Sequence, residues 1–94
     1  MILETAEIKI KPGEVEAAVE TLRARALKLT ESYSGCLSFK ALRGVDNPNK
    51  ILLLAEWTSI EAHLASRKEP AHAAFRALML PFSAGARTEH FEPI

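Results

Sequence analysis

The stretch Lys50–Trp57, KILLLAEW, constrains this chain more than any other. Read as a strand, it points Ile51, Leu53, Ala55 and Trp57 one way and Leu52, Leu54 and Glu56 the other. Both faces are therefore apolar. Antiparallel sheets usually leave one face in water, so this pattern asks for cover on both. Helices elsewhere in the chain can cover one face, and nothing is left for the second. A chain of 94 residues buries only about 60–65% of the surface it exposes when unfolded, so a second copy packed sheet to sheet is the simplest cover.

The remaining elements follow from periodicity and punctuation. A first strand spans Ile2 to Ile10, with Ile2, Ala6, Ile8 and Ile10 on one face and Thr5, Glu7 and Lys9 on the other. KPG ends it. Val15, Ala18, Val19, Leu22, Ala26, Leu29 and Tyr33 then recur at helical spacing, predicting a helix over 14–33 that stops at Ser34-Gly35. A second strand covers Cys36–Arg43, and GVDNPN makes a turn into the third. Thr58 and Glu61 read as a capping box for a short helix over 59–66. Pro70 opens a second helical segment through Ala71, Ala74, Phe75 and Leu78, which Pro81 should end or kink. A last strand is predicted over 86–92, with Arg87, Glu89 and Phe91 on one side and Thr88, His90 and Glu92 on the other. The order strand, helix, strand, strand, broken helix, strand is the split, ferredoxin-like α+β order with a four-stranded antiparallel sheet. No linker or repeat divides the chain, so residues 1–94 are expected to form a single domain.

Charge and motif content exclude several classes. Twelve basic and 12 acidic residues balance, leaving no electrostatic footprint for nucleic acid or an anionic membrane. No apolar run approaches the roughly 20 residues needed to span a bilayer, and the N-terminus lacks the basic region of a secretion signal. Cys36 is the only cysteine, so no intrachain disulfide can form; a reducing cytoplasm is expected. There is no Gly-rich phosphate loop, dinucleotide fingerprint or nucleophile elbow, and the histidines lack metal-ligand spacing. No cofactor and no metal are expected.

Three histidines, a glutamate and a tryptophan carry what chemistry the sequence offers. His63 lies between Ile60 and Leu64, on the face expected to turn inward. A neutral imidazole there could serve as a general base, or simply bond a backbone carbonyl at the edge of the core. His72, one turn before Phe75 and Arg76, either looks into the same space or flanks an apolar stripe. His90, between Glu89 and Glu92, reads as a surface or sheet-edge residue. Glu56 interrupts an apolar strand and must either pair with a cation or face a wet pocket, because a buried unpaired carboxylate costs several kcal/mol. Trp57 reads as packing first and as a pocket wall second.

The segment LLLAEWTSIEAHLAS, followed by EPAHAAF, resembles the strand-to-helix signature of the antibiotic biosynthesis monooxygenase domain, with Glu56, Trp57, Ser59, Glu61, Ala62 and His63 at the matching positions. The second strand and hairpin also fit, with Ser34 where proline often stands. The resemblance implies a dimeric α+β barrel with a cleft between each sheet and its helices. It also implies oxidation of quinol-like or polycyclic aromatic substrates with molecular oxygen and no flavin or metal. On this basis His63 and His72 would be catalytic, and Trp57, Glu56 and Phe75 would contact the substrate. Haem-degrading relatives use an asparagine on the first strand and a helix tryptophan; ETAEIKI has no asparagine, and Trp57 precedes its helix. The alternative is a non-catalytic dimeric binding module for a small aromatic metabolite.

Overall fold

A computed structural model describes residues 1–94. Strands β1 (Ile2–Ile10), β2 (Cys36–Arg43), β3 (Lys50–Trp57) and β4 (Ser83–Phe91) form one antiparallel sheet in the order β2-β3-β1-β4. This is the ferredoxin-like α+β arrangement that the element order predicts. All pairings are antiparallel, and β1 lies centrally with Glu4 opposite Ala55 on β3 and His90 on β4. The last strand begins at Ser83, earlier than periodicity suggests, because Gly85 and a register shift beside Lys9 and Ile10 let its irregular start pair with β1.

Helices cover one face of the sheet. Ile8, Ile10, Ile51 and Leu53 pack from the strands against Ala18, Leu22, Ala26, Phe75 and Met79 from the helices. Each larger apolar side chain buried this way contributes about 1.5–3 kcal/mol.

The first helix is not uniformly α. Helix α1 (Val15–Thr21) passes through a π turn (Leu22–Ala26) into α2 (Leu27–Leu29) and ends in a 3₁₀ turn (Thr30–Ser32). The buried positions explain the departure. Ala18, Leu22, Ala26 and Thr30 are spaced four apart, and in a pure α-helix each such step rotates the buried line by about 40°. The wider π turn winds less per residue and keeps that line on the sheet. Tyr33 lies beyond the helix in extended backbone.

Helix α3 (Ile60–Ser66) and α4 (Pro70–Met79) form the second half of the layer. The cap of α3 is Ser59, not Thr58: its backbone is extended and its Oγ accepts from the Ala62 amide at 3.1 Å. Glu61 therefore falls one position short of a capping-box partner. Thr58 instead donates its amide to the Gly35 carbonyl at 2.9 Å, tying the start of β2 to the end of β3. Gly35 has φ +79, and a Cβ there would sit 2.8 Å from the Ala62 Cβ, so only glycine lets α3 approach this closely. Pro70 occupies the first turn of α4, and a 3₁₀ turn (Leu80–Phe82) around Pro81 stops it.

The opposite face of the sheet has no helix. Leu3, Leu52 and Leu54 are only partly buried, while Leu42 and Phe91 are 42% and 48% exposed. Lys50 and Glu7 form an ion pair there at 2.9 Å.

Candidate functional site

Between the sheet and helices α3 and α4 lies a cavity of about 430 Å³. That volume falls within the range of roughly 300–1,000 Å³ typical of small-molecule sites. Ile8, Phe39, Leu53, Trp57, Phe75 and Met79 supply apolar wall, and Glu4, Tyr33, His63, His72, Arg67 and Arg76 supply the polar groups. Trp57, His63, His72 and Phe75, all expected at a site, thus line one space.

A chain of polar contacts runs through its wall. Trp57, 1% exposed, donates its indole Nε1–H to Glu4 Oε1 at 2.9 Å. His63 Nε2 lies 3.3 Å from the same oxygen, and His63 Nδ1 lies 2.7 Å from His90 Nε2. Four elements meet here: β1 brings Glu4, the end of β3 brings Trp57, α3 brings His63 and β4 brings His90. The inward side of α3 is the line His63 to Ser66, whereas Ile60 and Leu64, expected beside His63 on that face, are 38% and 45% exposed. Ser66 secures the turn by donating its hydroxyl to the His63 carbonyl at 2.6 Å.

Protonation follows from burial. Desolvation pushes the His63 pKa down to about 4, and the positive charges of Arg67, His90 and His72 push it the same way. His63 is thus a neutral imidazole near neutral pH. Desolvation raises the Glu4 pKa, while the Trp57 hydrogen bond and the charges of His90 and Arg67 hold it back. With Glu4 ionised and His63 neutral, the hydrogens have one consistent placement. His63 carries its hydrogen on Nε2, which faces Glu4 Oε1 at 3.3 Å, and its Nδ1 accepts from His90 Nε2–H. If Glu4 is protonated instead, the two histidine contacts can reverse, with Glu4 the donor toward Nε2 and Nδ1–H donating to His90, while the Trp57 indole still donates. The three side chains therefore form a path along which a proton can pass between the cavity and the partly exposed edge strand β4. Both donors converge on Glu4 Oε1, which leaves Oε2 free of them.

Tyr33 stacks on Trp57 with ring centroids 5.8 Å apart. Burial, then the nearby Glu4 charge, pushes its hydroxyl up to about 12, so it stays protonated. His72 takes no part in the Glu4 chain; desolvation, then Arg67 and Arg76, lowers its pKa. No three His, Cys, Asp or Glu side chains are grouped to hold a metal ion.

Two expectations need correction. Glu56 does not face the cavity. It lies on the uncovered face of the sheet, where its Oε1 accepts from Ser38 Oγ at 2.7 Å, because position 56 alternates with the inward Ala55 and Trp57. His90, expected as a mere edge residue, is bonded to His63. Glu4 was missing from the sequence-based candidates altogether. Its signal was present: it shares parity with Ile2, Ala6, Ile8 and Ile10, which puts a carboxylate on the core face of β1.

Comparison with known proteins agrees with this fold. A structure from Bordetella bronchiseptica, titled as a candidate antibiotic biosynthesis monooxygenase, superposes with a TM-score of 0.86 at 24% identity, covering 99% of this chain and 96% of that one. Proteins from Nitrosomonas europaea and Caulobacter crescentus with equivalent titles each reach 0.82. The first is 16% identical, covering 100% and 99% of the two chains; the second is 21% identical, covering 99% and 89%. At these identities the likeness shows the fold. No curated protein sequence matches the chain. The family described as antibiotic biosynthesis monooxygenase matches residues 1–78, and the chain belongs to that family.

Proposed function

We propose that this protein oxidises a hydroxylated aromatic compound to a quinone with molecular oxygen, using Glu4 as the base and drawing on no flavin or metal. The observation that carries this reading is the placement of Glu4. Its carboxylate stands on the wall of a largely apolar cavity, with Trp57 and His63 fixing one oxygen and Oε2 left over for a ligand. Desolvation makes it a stronger base than an exposed carboxylate, as proton abstraction near neutral pH requires.

A ring hydroxyl gives its proton to Glu4 Oε2, and the phenolate transfers one electron to oxygen. The phenoxyl radical and superoxide combine at the para ring carbon, and Glu4 returns the proton to complete a hydroperoxide. Loss of that carbon's remaining hydrogen as a proton, with cleavage of the O–O bond, forms the second carbonyl. The released hydroxide leaves with that proton as water. One oxygen atom enters the product and the other ends in water.

In this sequence His63 and His90 are positioning residues. They set the basicity of Glu4 and spread or carry its proton toward β4. His72 presents a neutral imidazole to the substrate, while Trp57 and Phe75 flank the ring. A second copy of the chain covers Leu3, Leu42, Leu52, Leu54 and Phe91 on the open face, so the working form is a homodimer and residues 1–94 act as one domain.

The test is oxygen uptake with a panel of anthrones and of 1-naphthols that carry hydrogen at the para carbon. Uptake with equimolar quinone formation supports the reading. Saturable binding of the same compounds with no oxygen uptake would replace it with a non-catalytic binding role.

A further inference from the structure

The Glu4 chain leaves the cationic side of the cavity unexplained. Three charged groups line the cavity, Glu4, Arg67 and Arg76, with His72 beside the two arginines. The ion pairs of the protein are Arg43–Glu16, Lys50–Glu7 and Arg87–Glu89. Neither Arg67 nor Arg76 belongs to one. No carboxylate lies within ion-pair distance of either, and Arg67 acts on Glu4 only from further away. Arg67 follows the last residue of α3 and Arg76 stands on α4, so both guanidiniums come to the same opening from neighbouring elements. Both residues are exposed, which places them at the rim rather than among the apolar wall.

From this arrangement we infer that the cavity takes an anionic ligand: an aromatic carboxylate whose acid group sits against Arg67 and Arg76 while its hydroxylated ring lies among Phe39, Trp57 and Phe75 near Glu4. The planar fork of arginine matches a carboxylate in two-point geometry, and two such groups at one rim favour an acid over a neutral ring. Beyond the larger effect of desolvation, Arg67 disfavours the protonated forms of both His63 and His72, and Arg76 adds to this at His72. A field that repels a proton attracts an anion. The inference deepens the proposed oxidation by naming the substrate class, and rests on that reading only for the position of the ring hydroxyl.

Anaerobic calorimetric titration with 4-hydroxy-2-naphthoate and its uncharged carboxamide separates the two claims. The acid is expected to bind at least tenfold more tightly than the amide at low salt. Arg67→Gln with Arg76→Gln should remove that preference while leaving amide binding in place, and Arg23→Gln on the first helix should not change it. Equal affinity for acid and amide, a preference that survives the double variant, or binding of neither compound overturns the inference. Tight acid binding without oxygen uptake when air is admitted would leave it standing and defeat the oxidation instead. Equal turnover of acid and amide would do the reverse.

Discussion

Glu4 and His90 stand directly opposite each other on the neighbouring strands β1 and β4. The ring of His63 bridges them from α3, 3.3 Å from the carboxylate and 2.7 Å from the second imidazole. One cross-strand pair and one helix residue thus make a proton path, and several consequences can be measured.

The Trp57 indole holds Glu4 Oε1, and this bond lowers the carboxyl pKa against the pull of burial. Trp57→Phe keeps most of the ring and removes the donor. Loss of a hydrogen bond to a buried carboxylate is expected to destabilise the fold by about 1–3 kcal/mol. It should also move the acidic limb of the activity profile to higher pH. Urea unfolding and kcat/KM against pH check both; an unchanged limb would mean that the indole does not tune Glu4.

Stability should fall as the solution is acidified from about pH 6.5 toward 4. His63 has a folded pKa of about 4 against an ordinary value of 6.5. Across that window the unfolded chain binds the proton and the folded chain does not, so the folded state loses ground. His72, also lowered, acts in the same direction. Glu4, whose pKa is raised, opposes it: the folded chain binds that proton first as pH falls. His63→Gln should flatten most of the slope in urea midpoint over this window. A slope equal to wild type would show that His63 is not buried as a neutral ring.

Much of this fold could be read from the chain, and the reasons are local. The two-sided apolar pattern of KILLLAEW and the parity of Ile8 and Ile10 named the strands and their inward faces. His63 was expected inward from its place between Ile60 and Leu64, yet those two are exposed and the inward line is His63 and Ser66. What could not be read was register. Glu4 and His90 lie 86 positions apart, and only the β1–β4 pairing, with its shift beside Ile10, sets them face to face. The same limit hid the π turn, which arises from fitting Ala18, Leu22, Ala26 and Thr30 to one sheet rather than from any residue's preference. Glu56 was misread because a carboxylate in an apolar strand looks like a site, whereas its bond to Ser38 satisfies it on the outer face.

Gly35→Ala tests the junction that aims α3. Its φ of +79 disfavours a side chain, and the added Cβ would meet Ala62 at 2.8 Å. A loss of about 1–3 kcal/mol is expected, with weaker ligand binding if α3 shifts. A stability within 0.5 kcal/mol of wild type, the usual range of about ±0.5 kcal/mol for neutral surface changes, would show that the approach is not tight.

Leu54→Arg places a charge at the centre of the uncovered sheet face, opposite Thr5 and Lys40. In a sheet-to-sheet dimer it should halve the mass measured by light scattering at micromolar concentration. A wild-type monomer under the same conditions would remove the dimer from the account.

The most direct test concerns Glu4 as the base. Glu4→Gln can keep a contact with Trp57 through its amide oxygen but cannot take a proton, and oxygen consumption with an active hydroxylated aromatic is the quantity to follow. With the fold verified by circular dichroism, the rate is expected to drop by about a hundredfold, the lower range for loss of a general base. Glu4→Asp should recover part of it. A Glu4→Gln protein that consumes oxygen as fast as wild type would contradict the account.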